Sequence, residues 1–354
     1  MMTERILQTI AYQTAITMLV NAENQVVQCW PETAVRLGSI HHVKFEKVSA
    51  AYRLAQARLE NGELISVKLS YGQKVVSGQW GLITITAQPF EDKPAQAVAS
   101  VELAGRYLVF RQSHTGGISI RGSKKQYQQH TDRLEAIYPA LRQYAEKLAG
   151  FGAHIEIVLR RSAYRLDDAA ALLDEAEFLV QHVSREITGQ DDFDKKGQIF
   201  SGFDGVLLAQ LEAPGVRAAA ASPKMCDSYF DQIDRLLETH IILDNGAELW
   251  VQPTRAGVMI DCDGAASSLG GLALSQSLLP HLFHLLRLRA RGGRILIDFP
   301  VLNASDRQKL SAEIEKIAQA DSKITSLHGF TASGLFELVR RHSITPLEQW
   351  WVKS

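Results

Sequence analysis

Two short segments constrain this chain more than any other part of it: GVMIDCDG at 257–264 and GGRILIDF at 292–299. Each is an apolar run that ends on acid, Asp261 and Asp263 in the first and Asp298 in the second. Short apolar runs bounded by glycine read as buried strands. Side chains at i and i+2 of a strand share a face, so Asp261 and Asp263 point the same way. If the second strand lies beside the first, Asp298 joins them. Carboxylates held together repel unless a cation lies between them, and hard oxygen donors suit Mg²⁺ or Mn²⁺. The competing reading makes these residues helix N-caps or turn acids, a common use of Asp after a strand. Acids following both VMI and ILI, with DxD spacing in the first, favour the metal site, and such sites cut or make phosphodiester bonds.

A chain of 354 residues holds roughly two to four compact units. Its 46% hydrophobic and 22% charged content is ordinary for a soluble globular protein. A net charge of −1 excludes a global basic footprint for nucleic acid but leaves room for a local basic groove. Cys29, Cys226 and Cys262 lie far apart and form no CxxC pair, so neither a zinc site nor a disulfide framework is expected. That usage suits a reducing cytoplasm. The N-terminus lacks a basic start, which argues against a signal peptide, and no apolar run is long enough to span a bilayer.

The first part of the chain is rich in strands. ILQTIA, TAITMLV and QVVQCW are three, with a turn at NAEN. Between 38 and 100 the runs IHHVKFEKV, AYRLAQARL, ELISVKLS, QKVVSG and LITITAQP predict a small antiparallel barrel of the OB type, with a hairpin at Asn61-Gly62 and His41-His42 on its exposed surface. AGRYLVFRQ (104–112) and HIEIVLRRSA (154–163) read as strands. TDRLEAIYPALRQYAEKLA and LDDAAALLDEAEFLVQHVSREITG have helical periodicity. In the last hundred residues a hairpin, AELWVQPTRAGVMIDCD, leads to the helix LSQSLLPHLFHLLRLRA, where Pro280 predicts a kink. GGRILIDF, the helix DRQKLSAEIEKIAQA, the strand KITSLHGF and a helix GLFELVRRHS then predict an α/β unit with a partly parallel sheet.

Basic and glycine-rich features are more ambiguous. Arg160-Arg161-Ser162 ends a strand and offers guanidinium and hydroxyl groups to an anion, or is surface charge. Gly116-Gly117 could cradle a phosphate with backbone N–H groups. Arg287, Arg289 and Arg291 are either RNA-backbone contacts or cations at a helix C-terminus. His281 and His284, one helical turn apart with no carboxylate nearby, read as a helix face.

Five segments together resemble the ribonuclease E/G family of endoribonucleases. VELAGRYLVF (101–110) is similar to the family's ISLAGRYLVL, GGISIR (116–121) to GGISRR, and GVMIDCDG to its IDVN or IDIN strand. LRLRARGGRILIDF (286–299) is similar to LRLRDLGGLIVIDF, and SGLFELVRRH (333–342) to FGLLEMSRQR. The order holds across most of the chain. The resemblance implies an α+β protein of several subdomains: an RNase H-like scaffold from 1–37 and 201–250, an inserted S1 (OB-fold) barrel at 38–100, a 5′-sensor-like subdomain at 101–200 and a DNase I-like catalytic subdomain at 251–354.

It further implies that Asp261 and Asp298 bind Mg²⁺ or Mn²⁺. Asp263, where the family has Asn, becomes a third ligand or an orienter. Arg161 and Ser162, with Gly116 and Gly117, would take a 5′-monophosphate, and Lys93, Arg58, Lys68, Arg287 and Arg289 would face RNA. The aromatic residues that clamp RNA in the family's barrel are not matched, since Arg58 and Lys68 fall nearby instead. The CPxC zinc link is also unmatched, so no zinc is expected, and a monomer or dimer is expected in place of a zinc-linked tetramer. The function implied is a cytoplasmic, metal-dependent endoribonuclease acting on single-stranded RNA in processing or decay, with a preference for 5′-monophosphate ends. The rivals are a catalytically weak or inactive RNA-binding relative and a metal-dependent phosphatase or nuclease of other specificity.

Overall fold

The computed structural model describes residues 4–113, 116–120, 131–148, 154–160, 162–163, 166, 169–188, 190–318, 321 and 323–351. The chain divides into two compact units, residues 1–32 with 213–354 and residues 33–212.

The first unit holds both acidic segments, in a six-stranded sheet. Its order is His240–Ile242, Glu248–Thr254, Gly257–Asp263, Gly293–Asp298, Phe336–Arg340, Ile324–Phe330. One pair is parallel, Gly257–Asp263 with Gly293–Asp298, and the others are antiparallel. A parallel pair needs a long crossover, supplied here by the helix Gly271–Leu288. That helix continues through Pro280 without interruption. With the helix Ala304–Ala318 it covers one face of the sheet, where Leu249, Val251, Val258, Ile260, Ile295 and Ile297 pack against Leu274, Leu278, Leu282, Leu310 and Ile314. The other face carries exposed Trp250, Met259, Asp261, Asp263 and Asp298. Beside this sheet, Arg5–Ala11, Thr14–Val20 and Val26–Pro31 form an antiparallel meander, and Ala218–Ala220 adds a parallel edge strand. The stretch 201–250 is divided between the units, since the helix Gly205–Glu212 belongs to the second.

Phe336–Arg340 corrects the expected helix at GLFELVRRHS. Phe336, Leu338 and Arg340 are buried and alternate with half-buried Glu337 and Val339. A period of two between two hydrogen-bonded neighbours is a strand.

In the second unit five strands close on themselves: Ile40–Ser49, Leu54–Arg58, Leu64–Lys68, Ala95–Val98 and Trp80–Ala87, which pairs back with the first. This is the OB-like barrel, filled by Val43, Phe45, Ile65, Val67, Ile83 and Ile85. Gly62, at φ 83°, sits in the expected hairpin turn. Two expectations need correction. QKVVSG is irregular, and the strand that completes the closure is Ala95–Val98. His41 is buried, at 5% exposure, with Nε2 2.9 Å from Ser39 Oγ.

A second sheet in this unit, ordered Gly117–Ile120, His154–Leu159, Leu108–Ser113, Glu102–Ala104, packs against the helices Thr131–Lys147 and Ala170–Val183. The strand of 154–163 thus stops at Leu159. The AGRYLVF segment has a structural explanation here. Buried Glu175 accepts backbone N–H groups from Arg106 (2.8 Å), Tyr107 (2.9 Å) and Leu108 (2.9 Å). A Cβ on Gly105 would lie 2.2 Å from Glu175 Oε1, so the loop is closed onto that carboxylate by the absence of a side chain.

Two outcomes follow from these contacts. Gly105→Ala is expected to destabilise the second unit by about 2 kcal/mol or more, measured by denaturant unfolding, because the carboxylate must leave three donors. For His41, burial pushes the imidazole down to about 4. The unfolded chain takes up that proton near the ordinary histidine value and the folded chain does not. Stability is therefore whole above about pH 6.5 and falls as pH drops toward 4. Unfolding at about pH 7 and about pH 4.5 should differ by up to roughly 3 kcal/mol from this residue; an undiminished difference in His41→Gln would assign the effect elsewhere.

Candidate active site

Strand Gly257–Asp263 alternates cleanly: Val258, Ile260 and Cys262 are buried, and Met259, Asp261 and Asp263 lie on the exposed face. In Gly293–Asp298, Ile295 and Ile297 are buried and Asp298 is exposed. The parallel register pairs Val258 with Ile295, Ile260 with Ile297 and Asp261 with Asp298. The two acids therefore stand side by side at the carboxyl ends of the two parallel strands, the place where open α/β sheets hold ligands. Glycine is required where the strands approach: a Cβ on Gly257 would meet the Arg294 carbonyl oxygen at 2.3 Å.

The three acids differ in environment. Burial pushes the Asp261 carboxyl up, and the charges of Asp298 and then Asp263 add to it. Asp263 Oδ1 accepts the backbone N–H of Ala265 at 3.0 Å, which ties this carboxylate into the turn after the strand. Among the described residues, no Lys or Arg forms an ion pair with Asp261 or Asp298. No three His, Cys, Asp or Glu side chains among them converge into a complete metal cage. A pair of carboxylates without a cage is the donor set Mg²⁺ uses when water and substrate phosphate complete its shell.

The same row of the sheet continues outward. Asp261 lies opposite Trp250, and Trp250 opposite His240. The indole is 39% exposed and stacks on the His240 ring, with centroids 4.1 Å apart and planes 10° apart. Glu248 holds that imidazole through Nε2 at 2.8 Å. The alternation of AELWV predicts an outward Trp250, but only the strand register brings it to the acids.

The proposed RNA contacts separate into groups. Arg58, Lys68 and Lys93 are exposed on the barrel unit, with Arg58 paired to Glu46 at 3.3 Å. Arg287 is half-buried, with Nε 3.4 Å from Gln28 Oε1. Arg289 needs correction as an RNA contact. At 2% exposure it donates to the Leu236 carbonyl (2.8 Å) and the Glu238 carbonyl (2.6 Å) and holds the end of the preceding helix to that loop.

Gly116 and Gly117 both have positive φ, 68° and 108°, as a backbone turn requires. Arg161 lies outside the described residues. Ser162 is buried, and its hydroxyl donates to the Arg106 carbonyl at 2.6 Å, so in this arrangement its proton is committed to the AGRYLVF loop. The sequence reading missed two exposed aromatics. Tyr52 (79%) and Tyr71 (92%) flank the Leu69 N–H to Arg53 carbonyl hydrogen bond at one end of the barrel.

Residues 226–343, which include all three acids, match the model of the Ribonuclease E/G family. Ribonuclease G of Escherichia coli (strain K12) is 23% identical over 315 residues, which are 77% of this chain and 62% of that protein. Ribonuclease G of Haemophilus influenzae is 21% identical over 322 residues, 79% of this chain and 62% of that protein. A chloroplastic ribonuclease E/G-like protein of Arabidopsis thaliana is 26% identical over 120 residues, 31% of this chain and 12% of that protein. The chain thus spans less than two thirds of the length of these bacterial relatives. Over residues 226–343 the chain is similar to the ribonuclease E/G family.

The register carries its own electrostatic test. Pushed up by burial and then by two like charges, Asp261 should titrate above its ordinary value in metal-free protein. Asp298→Asn should lower that value, read from the side-chain carboxyl carbon by NMR. An Asp261 titration unmoved by Asp298→Asn would mean that the two carboxylates do not meet.

Proposed function

We propose, from this kinship and from the acid pair, that the protein is a metal-dependent endoribonuclease that cuts phosphodiester bonds of single-stranded RNA. The observation that carries this reading is the register of Asp261 on Asp298 across two parallel strands, on the exposed face of the sheet. In subdomain terms, the acid-bearing sheet corresponds to the DNase I-like part, and the N-terminal meander with Ala218–Ala220 to the RNase H-like scaffold.

Asp261 and Asp298 are the residues that would bind Mg²⁺ or Mn²⁺. The ion supplies positive charge against the charge that builds on the phosphoryl oxygens, and a more acidic water. Asp263, bound to the Ala265 N–H, fixes the end of the strand and with it the direction of Asp261. Lys68, Arg58 and Lys93 on the barrel unit neutralise the RNA backbone, and Tyr52 and Tyr71 offer exposed rings on which unpaired bases stack. Gly116 and Gly117, with Arg161, form the proposed 5′-monophosphate contact, and Ser162 supports it through the loop it holds.

The decisive experiment pairs Asp261→Asn with Asp298→Asn. Cleavage of a single-stranded RNA in Mg²⁺ should fall at least about a thousand-fold, with the fold intact by circular dichroism and melting. Cleavage that survives in the double variant assigns the chemistry to other residues.

A further inference from the structure

The row of side chains beside the acids has no role in the core. Along Glu248–Thr254 the buried contacts are made by Leu249 and Val251, and Trp250 projects from the opposite face. The indole there is 39% exposed and is held firmly. The His240 ring stacks on it, and Glu248, two residues before it on the same face, fixes that ring in turn. His240 lies on the strand to one side of Trp250 and Asp261 on the strand to the other. The indole face away from the imidazole is therefore the face turned toward the acids. Neighbouring strands stand about 4.8 Å apart, which places that face one strand from Asp261 and two from Asp298.

We propose that Trp250 is a base-stacking residue of the cleavage site: it receives one unpaired RNA base flanking the scissile phosphate and sets that phosphate against Asp261 and Asp298. The inference rests on the endoribonuclease reading and adds to it a positioning residue next to the chemistry. The chemistry of the platform selects the occupant. A flat π surface pre-stacked on imidazole binds any base by its face. The acids one strand away repel a free anion and accept a phosphate only together with a cation. A nucleotide with its base on the indole spans that separation with its own sugar and phosphate. Stacking of this kind is tolerant of base identity, so the site would require a base at that position and not a particular one.

The test uses the full chain and an RNA oligonucleotide with one mapped cut. A series of substrates carries an abasic ribose at successive positions around that cut. In the wild type one flanking position should lower kcat/KM by about 10-fold or more. Trp250→Ala should lower cleavage of the intact RNA by a similar factor and lose sensitivity to that position alone, whereas Trp250→Phe retains most of the rate. Binding is read separately in the Asp261→Asn, Asp298→Asn double variant. RNA should quench the emission that disappears when Trp250 is replaced by Phe. Equal abasic sensitivity in wild type and Trp250→Ala, or no quenching of that emission, overturns the proposal. A wild type that cuts no RNA overturns the endoribonuclease reading instead, and the quenching experiment still decides the platform. Mn²⁺ binding and melting of Trp250→Ala, unchanged from wild type, separate a lost platform from a disturbed sheet.

Discussion

The pairing of Gly257–Asp263 with Gly293–Asp298 is the constraint on which the site depends. It is the one parallel contact in its sheet. A parallel pair cannot be closed by a tight turn, so the chain must leave the sheet, build the helix Gly271–Leu288 against its back and return. That helix buries Leu274, Leu278 and Leu282 on Ile260 and Ile297, and the same contact holds the register. A slip of one residue would turn Ile297 to water and Asp298 into the core, which costs several kcal/mol on both counts. The apolar back of the sheet therefore positions the acids on its front.

The polar residues in and around the segments that resemble the family serve two purposes, and burial separates them. Asp261 and Asp298 face water and carry no ion pair among the described residues, so the fold does not need their charge. Gly105, Glu175 and Ser162 do the opposite. Glu175 and Ser162 spend their polar atoms on the backbone of the Gly105–Leu108 loop, and Gly105 makes room for that carboxylate. Arg289 belongs with them, since its guanidinium completes carbonyl groups at Leu236 and Glu238. A motif match alone does not tell an anion contact from an internal brace. For Arg289 the hydrogen-bond partners decide in favour of the brace.

Where the sequence signal is local, it reads correctly. VMI and ILI between glycine and aspartate favour strands as short apolar runs bounded by breakers, and the ladders on both sides make them so. Asn61-Gly62 turns because Gly62 adopts positive φ. The failures lie where distant partners decide. In GLFELVRRHS, Leu335, Phe336, Leu338 and Val339 mimic a helical face, yet ladders to Arg294 and Leu327 on either side impose a period of two. AQAV carries little strand propensity and becomes a strand because it closes the barrel between Leu64–Lys68 and Trp80–Ala87. Trp250 is legible as an outward residue, but its place beside Asp261 is a fact of register that no single strand contains.

The aromatic pair flanks the acids on the exposed face, and among the described residues no Lys or Arg pairs with Asp261 or Asp298. A Lys or Arg opposite Asp261 would stabilise the metal-free sheet and compete with a divalent ion for the same oxygens. Arg294, outward on the same strand as Asp298, is held by Glu337 at 3.1 Å on the neighbouring strand. Trp250 occupies the position opposite Asp261 without supplying charge, and the His240 ring that braces it is committed to Glu248. Burial pushes the Asp261 carboxyl up, and the charges of Asp298 and Asp263 beside it add to that push. At the proposed site a divalent cation would relieve like-charge repulsion between the two carboxylates. Trp250 opposite Asp261 would leave those oxygens open to such an ion.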